Sequence, residues 1–324
     1  MEFRLPFTPK PFAEKITLNQ SLFLAGSCFT EQIGDKLVQH KFAITQNPNG
    51  ILFNPFSIAH AIESYILNKK YTEEELFLHN ELWGSWKHHT KYSHTDNTLC
   101  LQQINASQEH AHQQLKNANW LILTLGSAFA YLLQDGSIVA NCHKVPTDKF
   151  TKKLFSSVEI IDALNKMIQS LKAFNPELNI IFTISPVRHL RDGFVENNRS
   201  KANLITAVAA LTEINNHVHY FPAYELIIDD LRDYRFFAED MVHPNYQATQ
   251  YVWEKFVECC IDESDRSLMK EISLISMARR HRAFNPQSQQ HQAFLQTHLN
   301  KTIELSKRAP YLDFAEEISY FGNS

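Results

Sequence analysis

Ser21-Leu22-Phe23-Leu24-Ala25-Gly26-Ser27-Cys28-Phe29-Thr30 is the stretch on which the fold turns. Ser21–Ala25 is a short apolar run, the pattern of a buried strand, and Gly26 punctuates its end. From Thr30 to Lys41 the period changes, and Ile33, Leu37 and Val38 fall on one stripe of a helix. A strand that passes directly into a helix sets Ser27 and Cys28 at the strand's carboxyl end. Both carry nucleophilic atoms.

Four further strand signals lie downstream: Phe42–Thr45, Trp120–Leu125, Asn179–Ile184 and His217–Phe221. The helical patterns Gln108–Ala118, Val158–Ala173 and Ser200–Asn215 are each long enough to cross over between parallel strands. The expected class is α/β, a doubly wound, parallel sheet of about five strands with helices on both faces. Ligands in such sheets bind beyond the carboxyl ends of the strands. Ser27, Cys28, Gly126, Ser185 and Pro186 all fall at that edge.

Residues of about 47–105 stand outside this alternation. They carry Asn-Pro turns and the aromatic run Trp83-Gly84-Ser85-Trp86-Lys87-His88-His89, which reads as an insertion forming a lid over the edge. Residues 1–262 are expected to form the catalytic domain. The tail, 263–324, reads as a helical C-terminal extension that packs on the core or forms oligomers with a second subunit.

Composition excludes several classes. The chain of 324 residues is 44% hydrophobic and 20% charged, with a formal net charge of -4. That balance suits a globular protein with a sizeable core and carries no nucleic-acid footprint. No apolar run reaches bilayer length, and Met1 to Pro6 lacks a basic-then-apolar leader, so a cytoplasmic location is expected. Five cysteines, unevenly spaced, argue against a disulfide framework. His88, His89 and His94 lie without a helical metal-binding pattern or paired cysteines, so neither metal nor cofactor is expected.

Asp240-Met241-Val242-His243-Pro244 supplies a carboxylate and an imidazole three residues apart. With a nucleophile at residue 27 or 28, these make the minimum set for acyl transfer: nucleophile, base and orienter. A thiol at a helix N-terminus beside an imidazole is expected to have a lowered pKa. Ser127 follows the strand end at Gly126. Ser185 to Gly193 begins at another strand end, and there Arg188, with Lys201 beyond it, is suited to gripping a carboxylate or phosphate. His189 and Asn197 belong to the same cluster. Asn47, Trp86 and His143 are further substrate-binding candidates.

Gly26-Ser27-Cys28-Phe29-Thr30 resembles the motif for which the GSCFA family is named, within the SGNH/GDSL hydrolase superfamily. Asn47 to Gly50 through Asn54-Pro55, Thr124-Leu125-Gly126, Ser185 to His189 and Asp240 to Asn245 are similar too, so the resemblance spans most of residues 20–255. It implies a three-layer α/β/α, flavodoxin-like fold and ester hydrolysis through a covalent acyl-enzyme. The substrate would be a small-molecule or glycan ester such as an acylated carbohydrate. Acyl transfer to a cell-envelope glycan, or non-catalytic glycan binding, are the alternatives. Superposed without a gap, Cys28 takes the nucleophile position; sliding by one residue makes it Ser27. Asp240 and His243 match the family's orienter and base. The resemblance implies an oxyanion hole from the backbone N–H of Cys28 and of Gly50. The usual third-block Asn is absent after Gly126, leaving Asn54, Asn47 or Ser127 to replace it.

Overall fold

In the computed structural model, which describes residues 5–322, Ser21–Gly26 (β1) lies between Ala43–Gln46 (β2) and Trp120–Leu125 (β3). Asn179–Ile184 (β4) and Val218–Phe221 (β5) complete a five-stranded sheet in the order β5-β4-β3-β1-β2, parallel throughout. Parallel strands need covering on both faces, and their sequences show why these can be covered. Leu22 and Leu24 of β1 enter one apolar cluster, whereas Phe23 and Ala25 enter the other. The alternation carries no polar face.

The main helices are α1 (Cys28–Gln39), α2 (Pro55–Ile66), α3 (Asn97–Asn117), α4 (Ser157–Phe174), α5 (Gly193–Ile214), α6 (Tyr246–Cys260), α7 (Glu263–Arg280), α8 (Gln289–Arg308) and α9 (Ala315–Gly322). Helices α1 and α6 cover one face with Phe29, Ile33, Leu37, Val252 and Phe256. Helices α2 to α5 cover the other with Ile58, Ile62, Leu115, Leu164, Ile168, Leu204 and Leu211. The class is a three-layer α/β/α sandwich, as the sequence predicts.

The segment 47–105 is more than an appendage. Its α2 belongs to a covering layer: Ile58, Ile62 and Tyr65 are fully buried in the same cluster as β3. The Asn-Pro pair that reads as a turn is a helix start, with Asn54 Oδ1 accepting from Ser57 N at 2.8 Å and Pro55 in the first turn. Only the part beyond α2, with the hairpin Phe77–His79/Leu82–Gly84, stands apart from the layers. Helix α3 starts eleven residues before its expected Gln108, capped by Asp96. In its first turns Cys100 and Ile104 are buried, but in a small separate cluster with Tyr71 and not in the sheet's core.

The tail packs on the core. Met269, Ile272, Ile275, Leu295, Leu305, Phe314 and Phe321 join the cluster that α1 and α6 form. Lys41 meets Glu317 at 2.9 Å, and Ser273 Oγ lies 2.8 Å from His40 Nε2. Among the described residues no helix is long and apolar enough to cross a membrane. Met1 to Arg4, part of the N-terminal stretch weighed as a leader, lie outside the described residues.

Candidate active site

The junction of β1 with α1 is tight. Gly26 has φ +143°, and a Cβ there would meet the backbone O of Thr124 at 2.3 Å, so only glycine fits. Gly26 N donates to Asn47 Oδ1 at 2.9 Å, and Gly26 O accepts from Leu52 N at 2.9 Å. Ser27 donates its N–H to Thr124 O at 3.1 Å and then stands as the N-cap of α1.

The two nucleophile candidates differ in access. Ser27 is 1% exposed; its Oγ is enclosed without a hydrogen-bond partner, and its Cβ lies 3.3 Å from where a Cβ on Gly126 would sit. Cys28, the first residue of α1, is partly exposed. Of the two, Cys28 is the residue with solvent exposure. Its thiol pKa is raised, against the sequence expectation. Burial is the largest cause and the charge of Glu31 adds to it. Together they outweigh the backbone N–H groups of residues 28 and 29 and the positive charge of Lys201. A helix N-terminus does favour a thiolate, but desolvation wins here.

The second motif folds as one closed turn. Asp240 Oδ1 accepts from the backbone N–H of Val242 at 2.9 Å and of His243 at 3.0 Å, while Oδ2 lies 2.6 Å from His243 Nδ1. These bonds hold the Asp240 carboxyl down to about 2, with the His243 N–H the largest cause and its ring the next. A carboxylate on Nδ1 assigns the proton of a neutral ring to that nitrogen and leaves Nε2 as the basic atom. Met241 takes φ +57° to close the turn, and Ala238 N donates to His243 O at 2.7 Å. Asn245 then caps α6, its Oδ1 accepting from Ala248 N at 3.1 Å.

Tertiary contacts bring this turn to the edge that holds Cys28. Thr249 Oγ1, near the start of α6, donates to Gln32 Oε1 at 3.2 Å, one turn into α1. Arg188 N, beyond the end of β4, donates to Val242 O at 3.2 Å. The ends of β1 and β4 and the Asp240–His243 turn therefore share one rim of the sheet.

Most of the expected oxyanion donors are committed elsewhere. Gly50 (φ +79°) gives its N–H to Asn47 O at 2.8 Å. Asn54 is occupied as the α2 cap and donates to Ser57 Oγ at 2.9 Å. Ser127 donates its N–H to Phe53 O, and its Oγ lies 3.2 Å from Ser200 Oγ and accepts from Phe129 N. Asn47 clamps Gly26 with its Oδ1, and its Nδ2 makes a long 3.4 Å bond to Glu31. The first N–H groups of α1, at Cys28 and Phe29, are those that helix geometry leaves without an intrahelical acceptor. For Gly50 and Asn54 the cause is local, a turn and a cap; for Asn47 and Ser127 it is mainly contact with distant segments, and a motif match shows neither.

Lys201 is 2% exposed, and its ammonium donates to Gly126 O at 2.7 Å and to Ser185 O at 2.6 Å. It ties the ends of β3 and β4 together from beneath, rather than reaching out to a ligand. Burial lowers its pKa to about 7, partly opposed by the charge of Cys28. Asn197 Oδ1 accepts from His189 N at 2.9 Å, and the His189 ring sits edge-on to Phe53 at 5.6 Å. Trp86 stacks on Phe77 with centroids 3.7 Å apart. His143 is a pin: its Nε2 lies 2.9 Å from Ser85 O and 3.1 Å from His88 O. Burial lowers the pKa of His143 and takes His88 to about 3. Among the described residues no group of three or more His, Cys, Asp or Glu side chains could hold a metal ion.

Sequence reasoning missed Glu31 and Lys91. Glu31 follows Cys28 by one helical turn, and Lys91 Nζ donates to Asn47 O at 3.0 Å. The spacing of Glu31, three residues after Cys28 on a helix, was a readable signal. Lys91 had none.

The family model described as GSCFA family matches residues 21–256, and that of the GSCFA C-terminal domain matches 272–324. No curated protein matches the chain. Among solved structures, the chain is similar to an acetyl esterase variant crystallised with an acetate ion (11% identity, TM-score 0.37, covering 78% of this chain and 100% of that one). A family 3 carbohydrate esterase from Clostridium thermocellum shares 9% identity at TM-score 0.35, over 80% of this chain and 100% of its own. An acetyl xylan esterase from the rumen bacterium Butyrivibrio proteoclasticus shares 12% at 0.37, over 82% and 66%. At such scores these likenesses carry no functional argument.

Proposed function

The chain belongs to the GSCFA family, and on that premise we propose that it is an ester hydrolase acting through a covalent acyl-enzyme on Cys28. The observation that carries this reading is the 2.6 Å contact between Asp240 Oδ2 and His243 Nδ1, which leaves Nε2 as the base. Because burial keeps Cys28 a thiol, the nucleophile needs such a base.

His243 takes the thiol proton as Sγ bonds to the ester carbonyl carbon. The oxyanion is held by the N–H groups at the start of α1, where the helix dipole also favours negative charge. The C–O bond breaks, His243 returns the proton to the departing alcohol, and a thioester remains. Water, activated by the same imidazole, releases the acid and restores the thiol. An acyl acceptor in place of water would make the same site a transferase. We assign the substrate as an acylated carbohydrate, a class supported by the half-buried Trp86 with its aromatic neighbours Phe77 and Phe150.

The test is intact-mass analysis after exposure to p-nitrophenyl acetate. An acetyl adduct in the wild type and in Ser27→Ala, absent in Cys28→Ala and slowed in His243→Ala, is expected. An adduct that persists in Cys28→Ala, or no adduct and no turnover in any form, would overturn the reading.

A further inference from the structure

The Arg188 guanidinium sits against two rings, with Cζ 4.1 Å from the centroid of Phe237 and 4.9 Å from that of Tyr234. Its Nη1 is enclosed and has no hydrogen-bond partner. Among the described residues, no carboxylate pairs with it. The surface arginines of this chain are otherwise often paired: Arg199 with Glu196, Arg235 with Asp233, Arg279 with Glu316 and Arg308 with Glu271. An enclosed guanidinium N–H without an acceptor costs more than one left in water.

The position is specific. Arg188 N bonds to Val242 O, the residue before His243, and Phe237 beneath its guanidinium forms an antiparallel bridge with Pro244, the residue after. Arg188 is thereby fastened to the base-bearing turn on both sides of His243. Contact with two aromatic rings restrains the side chain, which lowers the entropy lost when an anion docks. The Asp240 carboxylate does not compete, because both of its oxygens are taken by the turn itself.

We propose that Arg188 reads an anionic group on the substrate, so that the ester handled at this site carries a carboxylate or a phosphate close to the scissile bond. This rests on the reading of Cys28 and His243 as the acyl-transferring pair. It narrows the substrate from acylated carbohydrates at large to acidic ones, uronates or sugar phosphates. The bonds would be charge-assisted, guanidinium N–H to anionic oxygen.

The experiment uses the full chain and compares kcat/KM for acetylated methyl glucoside, acetylated methyl glucuronide and acetylated glucose 6-phosphate. One or both anionic esters should be preferred at least about tenfold; which one identifies the group. The preference should fall as salt rises, and in Arg188→Gln the ratio should drop to about one, with Arg188→Lys between. A ring-stacked arginine with a merely structural role would lower all esters alike and leave the ratio unchanged, which overturns the proposal. If Arg188→Gln fails to fold, the wild-type ratio and its salt dependence still decide. If no ester turns over, the acyl-transfer reading fails separately, and calorimetric binding of methyl glucuronide and glucose 6-phosphate against methyl glucoside then judges Arg188. Equal binding of all three overturns it.

Discussion

Glu31 follows Cys28 by one turn of α1, and its negative charge adds to burial in keeping the Cys28 thiol protonated. Replacing Glu31 with Gln removes that charge while burial stays. The thiol pKa should then fall, because a neighbouring anion disfavours a second one. The pH profile of iodoacetamide alkylation, read by mass at Cys28, should move to lower pH in Glu31→Gln. An unmoved or upward-shifted profile would show that the carboxylate does not act on the thiol.

Asp240→Asn keeps the shape of the turn but replaces an acceptor at Nδ1 by a group that can donate. The imidazole then loses its orienter and its tautomer is no longer imposed. A fall in kcat of about 10²–10⁴ is expected, by the logic of a triad whose carboxylate is neutralised. The carboxyl is held down to about 2, by the His243 N–H first. A carboxylate depressed in the folded state supports the turn above its unfolded value and loses that support only as pH falls through about 2. The acid limb of the wild-type activity should therefore not report Asp240. Wild-type kcat in the Asn variant would remove the residue from the mechanism.

Lys201→Met leaves the carbonyls of Gly126 and Ser185 enclosed without their donor. At roughly 1–3 kcal/mol for each unsatisfied group, the variant should lose several kcal/mol in urea unfolding. The pH dependence carries a second signature. Burial lowers the folded Lys201 to about 7 from its ordinary 10.5. Between those values the unfolded chain holds a proton that the folded one has released, so stability rises with pH across that window. The wild type minus Met difference should grow from pH 7 to pH 10; a flat difference would mean that the ammonium stays charged in place.

Gly26→Ala forces a Cβ to within 2.3 Å of a backbone oxygen, at a φ that L residues rarely adopt. Neither atom is the end of a flexible side chain, so β1 and β3 must part. A loss on the order of 3 kcal/mol or more is expected, together with loss of Cys28 labelling. A thermal midpoint near that of the wild type would show that the junction has slack.

Much of this was legible in the residues. The apolar runs at β1, β3 and β4 are buried on both faces, and their length with the glycine or proline that follows marks such strands. Polar starts and caps hid other elements. Helix α3 opens on a mixed stretch from Asn97 whose buried residues Cys100 and Ile104 join only a small side cluster, and α2 hides behind Asn54-Pro55, whose turn-like look is the signature of its cap. At the site, the Asp-x-x-His spacing announced an interaction that is local in sequence. Gly50, Asn54 and His143 each make a hydrogen bond to a partner that a motif does not name.

The sequence by itself determined the class of sheet, the edge at which chemistry is possible, and the pairing of Asp240 with His243, because these depend on periodicities and on contacts within a single turn. Only the tertiary structure decided that Ser27 is enclosed while Cys28 is reachable, that Lys201 is a buried tie and that Arg188 lies on Phe237 beside His243. Access, desolvation and unmet hydrogen bonds are properties of what surrounds an atom, and those surroundings come from segments far apart in the chain.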